Sequence, residues 1–385
     1  MGRSMRILGG IAARLALVGA TGVAASPELS VRLAEPDEAF TELFANRDGW
    51  LGADAIYSIP LPDDSVLWAF GDTLTGTIRN GRRSGMRMVN NSFARQRGTG
   101  SATRVQFYLP RGDDGEPAST LVPPGKEGYY WPWDGVVEQG RLLLFVTRVV
   151  SSGEIAAFGW QLVDQSLAEV ENPQDDPADW KWRELPFPYG RFAEGDEALW
   201  GLEILRHEDW LYVYGTVRRR PGGPRGLVAA RAPAGALTHF NRWQFLGANG
   251  WQDDPRQVFE LAEGVGTEGS ITWLPRFGKY AYVYSPPLDP RILWRTARSP
   301  VGPWSEPATL YVCPETGWNP RVFCYAAKAR PTPEADDGLL VSYATNSFDM
   351  RNDALADARI YFPRFVRVRL GEVAPREGAV PHGAP

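Results

Sequence analysis

Residues 52–73 read GADAIYSIPLPDDSVLWAFGDT. An apolar run is broken by Pro62-Asp63-Asp64-Ser65 and resumes at Val66. Two short apolar runs around a Pro/Asp/Ser break read as a β-hairpin. Folding the chain back at residues 62–65 pairs positions whose numbers sum to about 127, and those of Asp54 and Asp72 sum to 126. Both acids are therefore expected at one end of the hairpin. Neighbouring strands run ~4.8 Å apart, which allows carboxyl groups on the order of 5 to 9 Å apart. That range covers the acid and base of a glycosidase.

The same layout recurs along the chain. WDGVVEQGRLLLFVTRVV, WGLEILRHEDWLYVYGTVR, EGSITWLPRFGKYAYVYSP and YAAKARPTPEADDGLLVSYATN each give a short strand, a polar turn and an apolar-aromatic strand. A third, alternating strand follows each of them and also the opening hairpin, as in NNSFARQRG, AAFGWQLV, GLVAARAP, RILWRTARSPVGPW and RIYFPRFVRVRL. The second strands end near Asp72, Arg148, Thr216, Ser285 and Asn346. No helix of about ten residues or more is signalled, since helical spacing is interrupted by Gly and Pro. Repeats of this size point to radial closure of antiparallel sheets. The expected fold is an all-β, five-bladed β-propeller forming a single domain over residues 27–370. A β-sandwich, the competing fold, lacks such a period. Pro27–Pro36 is the candidate strand to complete the last blade.

Composition narrows the function. The 385 residues are 43% hydrophobic and 12% aromatic, with 15 Trp and 14 Tyr. Aromatics in such number fill sheet cores and also make flat platforms for sugars. A net charge of −5 and no basic block argue against nucleic acid as a partner. Three His and two Cys, without metal-ligand spacing, argue against a zinc centre, and no cofactor is called for. Residues 1–26, MGRSMRILGGIAARLALVGATGVAAS, have the order of a signal peptide: basic, apolar, then small residues. A secreted or periplasmic protein is expected. Arg14 interrupts the apolar part, which is too short and broken for a stable membrane span. Residues 371–385 read as a disordered tail. Cys313 and Cys324 either close a short loop, worth roughly 3 kcal/mol, or stand as buried thiols.

Aligning the first strands of the repeats sets Asp54, Asp134, Trp200, Glu268 and Tyr325 at similar levels, lining a central funnel with Trp131 and Trp133. Clustered carboxylates raise one another's pKa, so one can stay protonated near neutral pH. Taken singly, Asp72 in Phe-Gly-Asp-Thr can also serve as a turn cap, and Asp134 and Glu268 as rim acids. Asn91, Trp133, Trp200, Tyr325 and Lys328 are candidate substrate contacts, with Asp134 and Glu268.

Gly49-Trp50-Leu51-Gly52-Ala53-Asp54, Trp68-Ala69-Phe70-Gly71-Asp72-Thr73 and Val89-Asn90-Asn91-Ser92 resemble the domain of unknown function 4185 type. Trp200-Gly201, Tyr212–Thr216, Ala297–Trp304, Tyr325–Lys328 and Ser342–Asn346 extend the likeness over residues 49–369. Some members of that group are family 183 glycoside hydrolases, endo-acting D-arabinanases. The resemblance implies a five-bladed propeller acting on a furanose polysaccharide or oligosaccharide. It places the two catalytic aspartates at Asp54 and Asp72. The reading gives Asp72 as the proton donor and Asp54 as base or nucleophile, with Asp54 and Glu268 as a rival pair. Two alternatives share the scaffold: a non-catalytic carbohydrate-binding propeller, and a phosphorylase or transferase using Arg87 or Lys328 as an anion site.

Overall fold

The computed structural model describes residues 28–152, 159–332 and 335–373. The expected signal peptide lies outside them, as does most of the expected tail; Gly371–Val373 instead continue the last strand. Val31–Gly371 is one compact unit, holding every strand except the outer ends of the first and the last.

Five antiparallel sheets, each built on four strands, organise it. The first holds Tyr57–Pro60, Val66–Phe70, Ser92–Arg97 and Arg104–Tyr108. The second holds Tyr129–Glu138, Arg141–Ser151, Trp160–Val170 and Trp182–Pro186. The third is built on Asp196–His207, Trp210–Arg218, Gly226–Pro233 and Gln244–Gly247, with short strands added at both edges. The fourth holds Gly269–Leu274, Lys279–Tyr284, Arg291–Ala297 and Ala308–Val312. The fifth takes Val322–Pro331, Gly338–Ser347 and Pro363–Val373 from the end of the chain, and its fourth strand, Glu28–Pro36, from the beginning. Asp48–Ala53, Thr73–Arg79 and Arg82–Val89 make a further three-stranded sheet.

The hairpin arithmetic of the sequence holds in the register. Tyr57 pairs with Ala69 and Ile59 with Leu67. Strand composition explains the ladders: WLYVYGTVR and KYAYVY combine aromatic and β-branched residues suited to a pleated, packed surface. Turns follow backbone chemistry. Gln139-Gly140 joins Glu138 to its partner Arg141 with both residues at positive φ (51° and 80°), the twist that matches flanking strands.

The core lies between successive sheets. Tyr57, Ile59 and Phe93 of the first pack with Leu142–Val146 of the second and with Leu199 and Val213 of the third. Tyr212 and Tyr214 meet Ile271, Tyr280 and Tyr282 across the third and fourth. Trp68 and Phe70 meet Phe365 of the fifth through Phe44, whose ring lies 5.2 Å from Trp68 and 4.7 Å from Phe365. The first strands touch in chain order, from the first sheet to the fifth. Tyr325 and Lys328 of the fifth bond Asp54 and the carbonyl of Ala55, in the segment that leads into the first.

Three of these first strands carry a β-bulge at the same level. Trp133 and Asp134 sit between the paired residues Pro132 and Gly135. Gly201 and Leu202 interrupt the ladder between Trp200 and Glu203. Ala326 and Ala327 interrupt it between Tyr325 and Lys328. A bulge adds a residue and re-aims the side chains beyond it. Residues three apart normally face opposite sides of a sheet; the bulge lets Tyr325 and Lys328 serve the same cluster.

Candidate active site

Asp54 and Asp72 meet as the hairpin predicts. The Asp54 amide donates to the Asp72 carbonyl (3.4 Å), and the Gly71 amide donates to the Asp54 carbonyl (3.2 Å). The chain then leaves the regular strand. Ala55 and Ile56 take left-handed conformations (φ 65° and 59°), costing of order 1–2 kcal/mol each for residues with a Cβ. The kink separates Asp54 from the strand that begins at Tyr57.

Each carboxyl group is half-buried and has its own donors. Tyr325 donates its hydroxyl to Asp54 Oδ2 (2.7 Å), while Asn346 donates to the Tyr325 oxygen (3.4 Å). Asp72 Oδ1 accepts from Asn90 Nδ2 (2.9 Å) and Trp131 Nε1 (2.8 Å). Tyr361 donates to the Asp72 carbonyl (3.0 Å). Tyr361 stands close because its segment is clamped: Arg83, buried, donates to the carbonyls of Ala354 (2.8 Å), Ala358 (3.0 Å) and Leu51 (3.2 Å). Gly52 permits the approach, since a Cβ there would lie 2.1 Å from the Tyr361 carbonyl oxygen.

Burial pushes the Asp54 carboxyl up to about 8, with the charges of Asp72 and Glu268 adding to the effect and the hydroxyls of Tyr325 and Tyr361 opposing it. Burial also raises Asp72, against the hydrogen bonds from Asn90 and Trp131 that favour its charged form. Each carboxyl group has side-chain donors, but Asp54 also feels the negative charges of Asp72 and Glu268, so Asp72 is the member of the pair better held as a carboxylate.

Glu268 reaches the cluster from the fourth sheet and is ion-paired to Lys328 (2.8 Å). Lys328 is buried, bonds the carbonyls of Ala55 and Ala326, and lies 4.1 Å from the Tyr57 ring centroid. Two further acids share its charge. Burial pushes Asp134 up to about 7, with the Ile204 and Gly135 amides and Lys328 opposing. Burial first and Asp134 second raise Glu203 well above the usual carboxylate range.

The site is flanked by two aromatic strips. On the Asp72 side, Trp131 packs against Trp160 (4.7 Å between centroids) and Tyr129 (6.0 Å). On the Asp54 side, Tyr325 leads to Phe323 (5.5 Å) and on to Phe348 (4.9 Å further), which is 61% exposed. A cleft of about 420 Å³ adjoins Tyr325 and Glu268 and extends past Ser285, Pro286 and Pro287 to Arg218 and Arg225.

Several sequence expectations need correction. Asn91 is fully buried and donates to the Leu121 (2.8 Å) and Tyr130 (3.0 Å) carbonyls while accepting from the Leu121 amide (2.8 Å), so it ties loop to sheet and does not face a ligand. Its neighbour Asn90, in the same two-residue connection between Arg82–Val89 and Ser92–Arg97, takes the place at the site. Trp200 is fully buried with its indole donating to the Tyr189 carbonyl (3.2 Å), and Trp133 is buried with its indole on Thr147 (2.7 Å). Asp134 is buried under the site and accepts the Ile204 amide (2.7 Å). Lys328 is spent on protein partners. Asp54, Asp72, Glu268 and Tyr325 are brought together. Asn90, Glu203, Asn346 and Tyr361 were not anticipated; all but Asn90 reach the centre from distant sequence, without a local motif.

Arg87, one expected anion site, is exposed and paired with Glu116 (3.4 Å). Cys313 and Cys324 are free, buried thiols beside Glu315, and among the described residues these three are placed to share a metal ion. They form a cluster of their own. No helix of the described residues is long and apolar enough to cross a membrane.

The fold resembles that of a protein from Bacteroides ovatus ATCC 8483 provisionally described as a hydrolase (TM-score 0.68, 17% identity, covering 87% of this chain and 90% of that one). A remote likeness links it to the GH43_1 enzyme of Xanthomonas citri complexed with xylose (TM-score 0.48, 13% identity, 89% and 99% covered). In sequence, 114 residues are 34% identical to Notoamide biosynthesis cluster protein J' of Aspergillus versicolor, and 115 are 36% identical to protein J of Aspergillus sp. (strain MF297-2). These matches span 28% of this chain and only 29% of each relative's length. The family described as "Domain of unknown function (DUF5005)" matches residues 37–370, nearly the whole of the compact unit, and the chain belongs to it.

Proposed function

We propose that this protein is a glycoside hydrolase whose five sheets close as a five-bladed β-propeller around Asp54 and Asp72. One observation carries the reading: a carboxyl group held protonated near neutral pH stands beside a second one supplied with donors for its charge, and both are half-buried, so water reaches them. Glycoside hydrolysis needs such a pair, one member to protonate the leaving oxygen and one to activate water or attack the sugar. The electrostatics favour Asp54 as the acid and Asp72 as the base or nucleophile, the reverse of the assignment made from sequence. The two aromatic strips offer ring faces for sugars on either side of the pair.

The resemblance to the 4185 type supports an arabinofuranose polymer as substrate and an exported enzyme. The test is reducing-end release from D- and L-arabinans by the wild type, Asp54→Asn and Asp72→Asn. Loss of release in both variants with binding retained supports hydrolysis by this pair. Equal release by all three excludes the pair. Binding without release by the wild type leaves a carbohydrate-binding propeller. Phosphate-dependent product formation leaves a phosphorylase.

A further inference from the structure

The cleft beside Tyr325 and Glu268 is walled by three sheets. Arg218 and Arg225 come from the third; Glu268, Ser285, Pro286 and Pro287 are on or beside the fourth; Tyr325 and Ala326 come from the fifth. Tyr325 lines the cleft and bonds Asp54, so a ligand filling the cleft lies beside the tyrosine that holds one member of the acid pair.

The charges in this cleft are not balanced. At one end Glu268 is ion-paired to Lys328, whose charge also acts on Asp134 and Glu203. Glu197 serves both arginines: Arg218 Nη1 lies 3.1 Å from one of its oxygens, and Arg225 Nη2 bonds the other. At the other end two guanidinium groups thus share one carboxylate, and one positive charge is left over there. Arg225 is only 8% exposed, and its Nη1 is buried without a hydrogen-bond partner among the described residues, as is Arg218 Nε. Burial lowers the Arg225 pKa, and the neighbouring charge of Arg218 adds to that. A buried cation short of partners is costly unless a ligand completes it. The planar guanidinium fork suits a carboxylate above other groups.

We propose that this cleft is a subsite for an acidic sugar, with Arg218 and Arg225 binding the carboxylate of a uronic acid in the saccharide chain held at Asp54 and Asp72. The inference rests on the glycoside hydrolase reading for its place in a reaction, but the binding itself is testable alone. The walls are stiffened by Pro224, Pro286 and Pro287, so the arginines meet their ligand in a largely formed site.

The test is titration calorimetry on the full chain with methyl glucuronide and methyl galacturonide, against methyl glucoside, methyl galactoside, inorganic phosphate and sulfate. A charge-assisted pair is worth roughly 1.5–3 kcal/mol, so a uronide should bind ~10- to 100-fold more tightly than its neutral counterpart, with the preference weakened by salt. Arg218→Gln, the less buried change, should remove most of that preference. Glu197→Gln should strengthen uronide binding, because it frees both guanidinium groups; this rise keeps the test sharp should Arg225 variants fold poorly. Equal affinity for uronide and neutral sugar overturns the proposal. So does phosphate or sulfate binding without uronide binding, or an unchanged Arg218→Gln. Uronide binding without release of reducing ends from any acidic or neutral glycan removes the hydrolase reading and leaves the subsite. Release from neutral arabinan without uronide preference does the reverse.

Discussion

Replacing Asp54 by Asn should make the protein more stable while abolishing activity. The folded protein holds the Asp54 carboxyl at about 8 against 3.8 for the free group, with burial the leading cause. Between these values the folded state keeps a proton that the unfolded chain releases, so stability is greatest below about pH 4 and is lost as pH rises towards about 8. At ~1.36 kcal/mol per unit, the loss at about pH 7 is roughly 4 kcal/mol. Asp54 is half-buried, and the water that reaches it halves that figure to about 2 kcal/mol. Asn keeps the shape and can still accept from Tyr325, so the variant avoids the penalty without opening a cavity. Denaturant unfolding of both proteins at about pH 5, 7 and 9 reads the difference directly. The gain should widen from about pH 5 to about pH 8 and then level off. Asp134 and Glu203 titrate in the same direction in both proteins and cancel from the comparison. Parallel stability curves, or a variant less stable than wild type at about pH 7, would refute the claim that burial keeps Asp54 protonated.

Three further outcomes are expected from the contacts. Gly71→Ala places a Cβ 2.6 Å from Asp54 Oδ1, so the carboxyl must move; kcat should fall ~100-fold while the melting temperature changes little. Lys328→Met leaves Glu268 without its cation and should cost about 3–5 kcal/mol near neutral pH, and less under mildly acidic conditions, as thermal unfolding at two pH values would show. Phe348→Ala should leave stability within about 0.5 kcal/mol yet raise KM several-fold for long saccharides and not for short ones, measured over a chain-length series.

What the sequence disclosed depends on the range over which residues interact. The Asp54–Asp72 pairing was legible because one hairpin carries both, and four local turns of the same kind revealed the repeat. The fourth strand of each sheet was not foreseen, apart from the N-terminal one that completes the fifth. Strands such as Trp182–Pro186, WRELP, are short, edge-lying and half-exposed, so they lack the apolar run that marks a central strand. The small sheet escaped for a related reason. Asn80-Gly81 is a strong hairpin signal, yet the strand after it, RRSGMRMV, is mostly exposed and does not look like core. At the site, Asn90 and Asn91 share a short connection between strands, where no alternation says which of them turns to Asp72 and which to the carbonyls of Leu121 and Tyr130. Glu203 and Lys328 depend on bulges, which no simple alternation predicts.

The bulges also explain how so many acids can gather in one place. A regular ladder alternates its side chains, so first strands from neighbouring sheets would send few of them to a common point. The interruptions at Trp133–Asp134, Gly201–Leu202 and Ala326–Ala327 break that alternation at one level and bring Asp134, Glu203 and Lys328 beneath Asp54 and Glu268. Lys328 is the cation that the carboxyl groups of Glu268, Asp134 and Glu203 have in common. Its single charge cannot neutralise all of them together with Asp54, so the cluster must hold protons instead. Asp72 stands apart from this shortage, since Asn90 and Trp131 stabilise its charge with neutral donors. Burial raises both carboxyl groups, and the proton is therefore retained more firmly on the Asp54 side than on the Asp72 side. That asymmetry assigns the acid and the base by supply of partners, independently of which residue comes first in the chain.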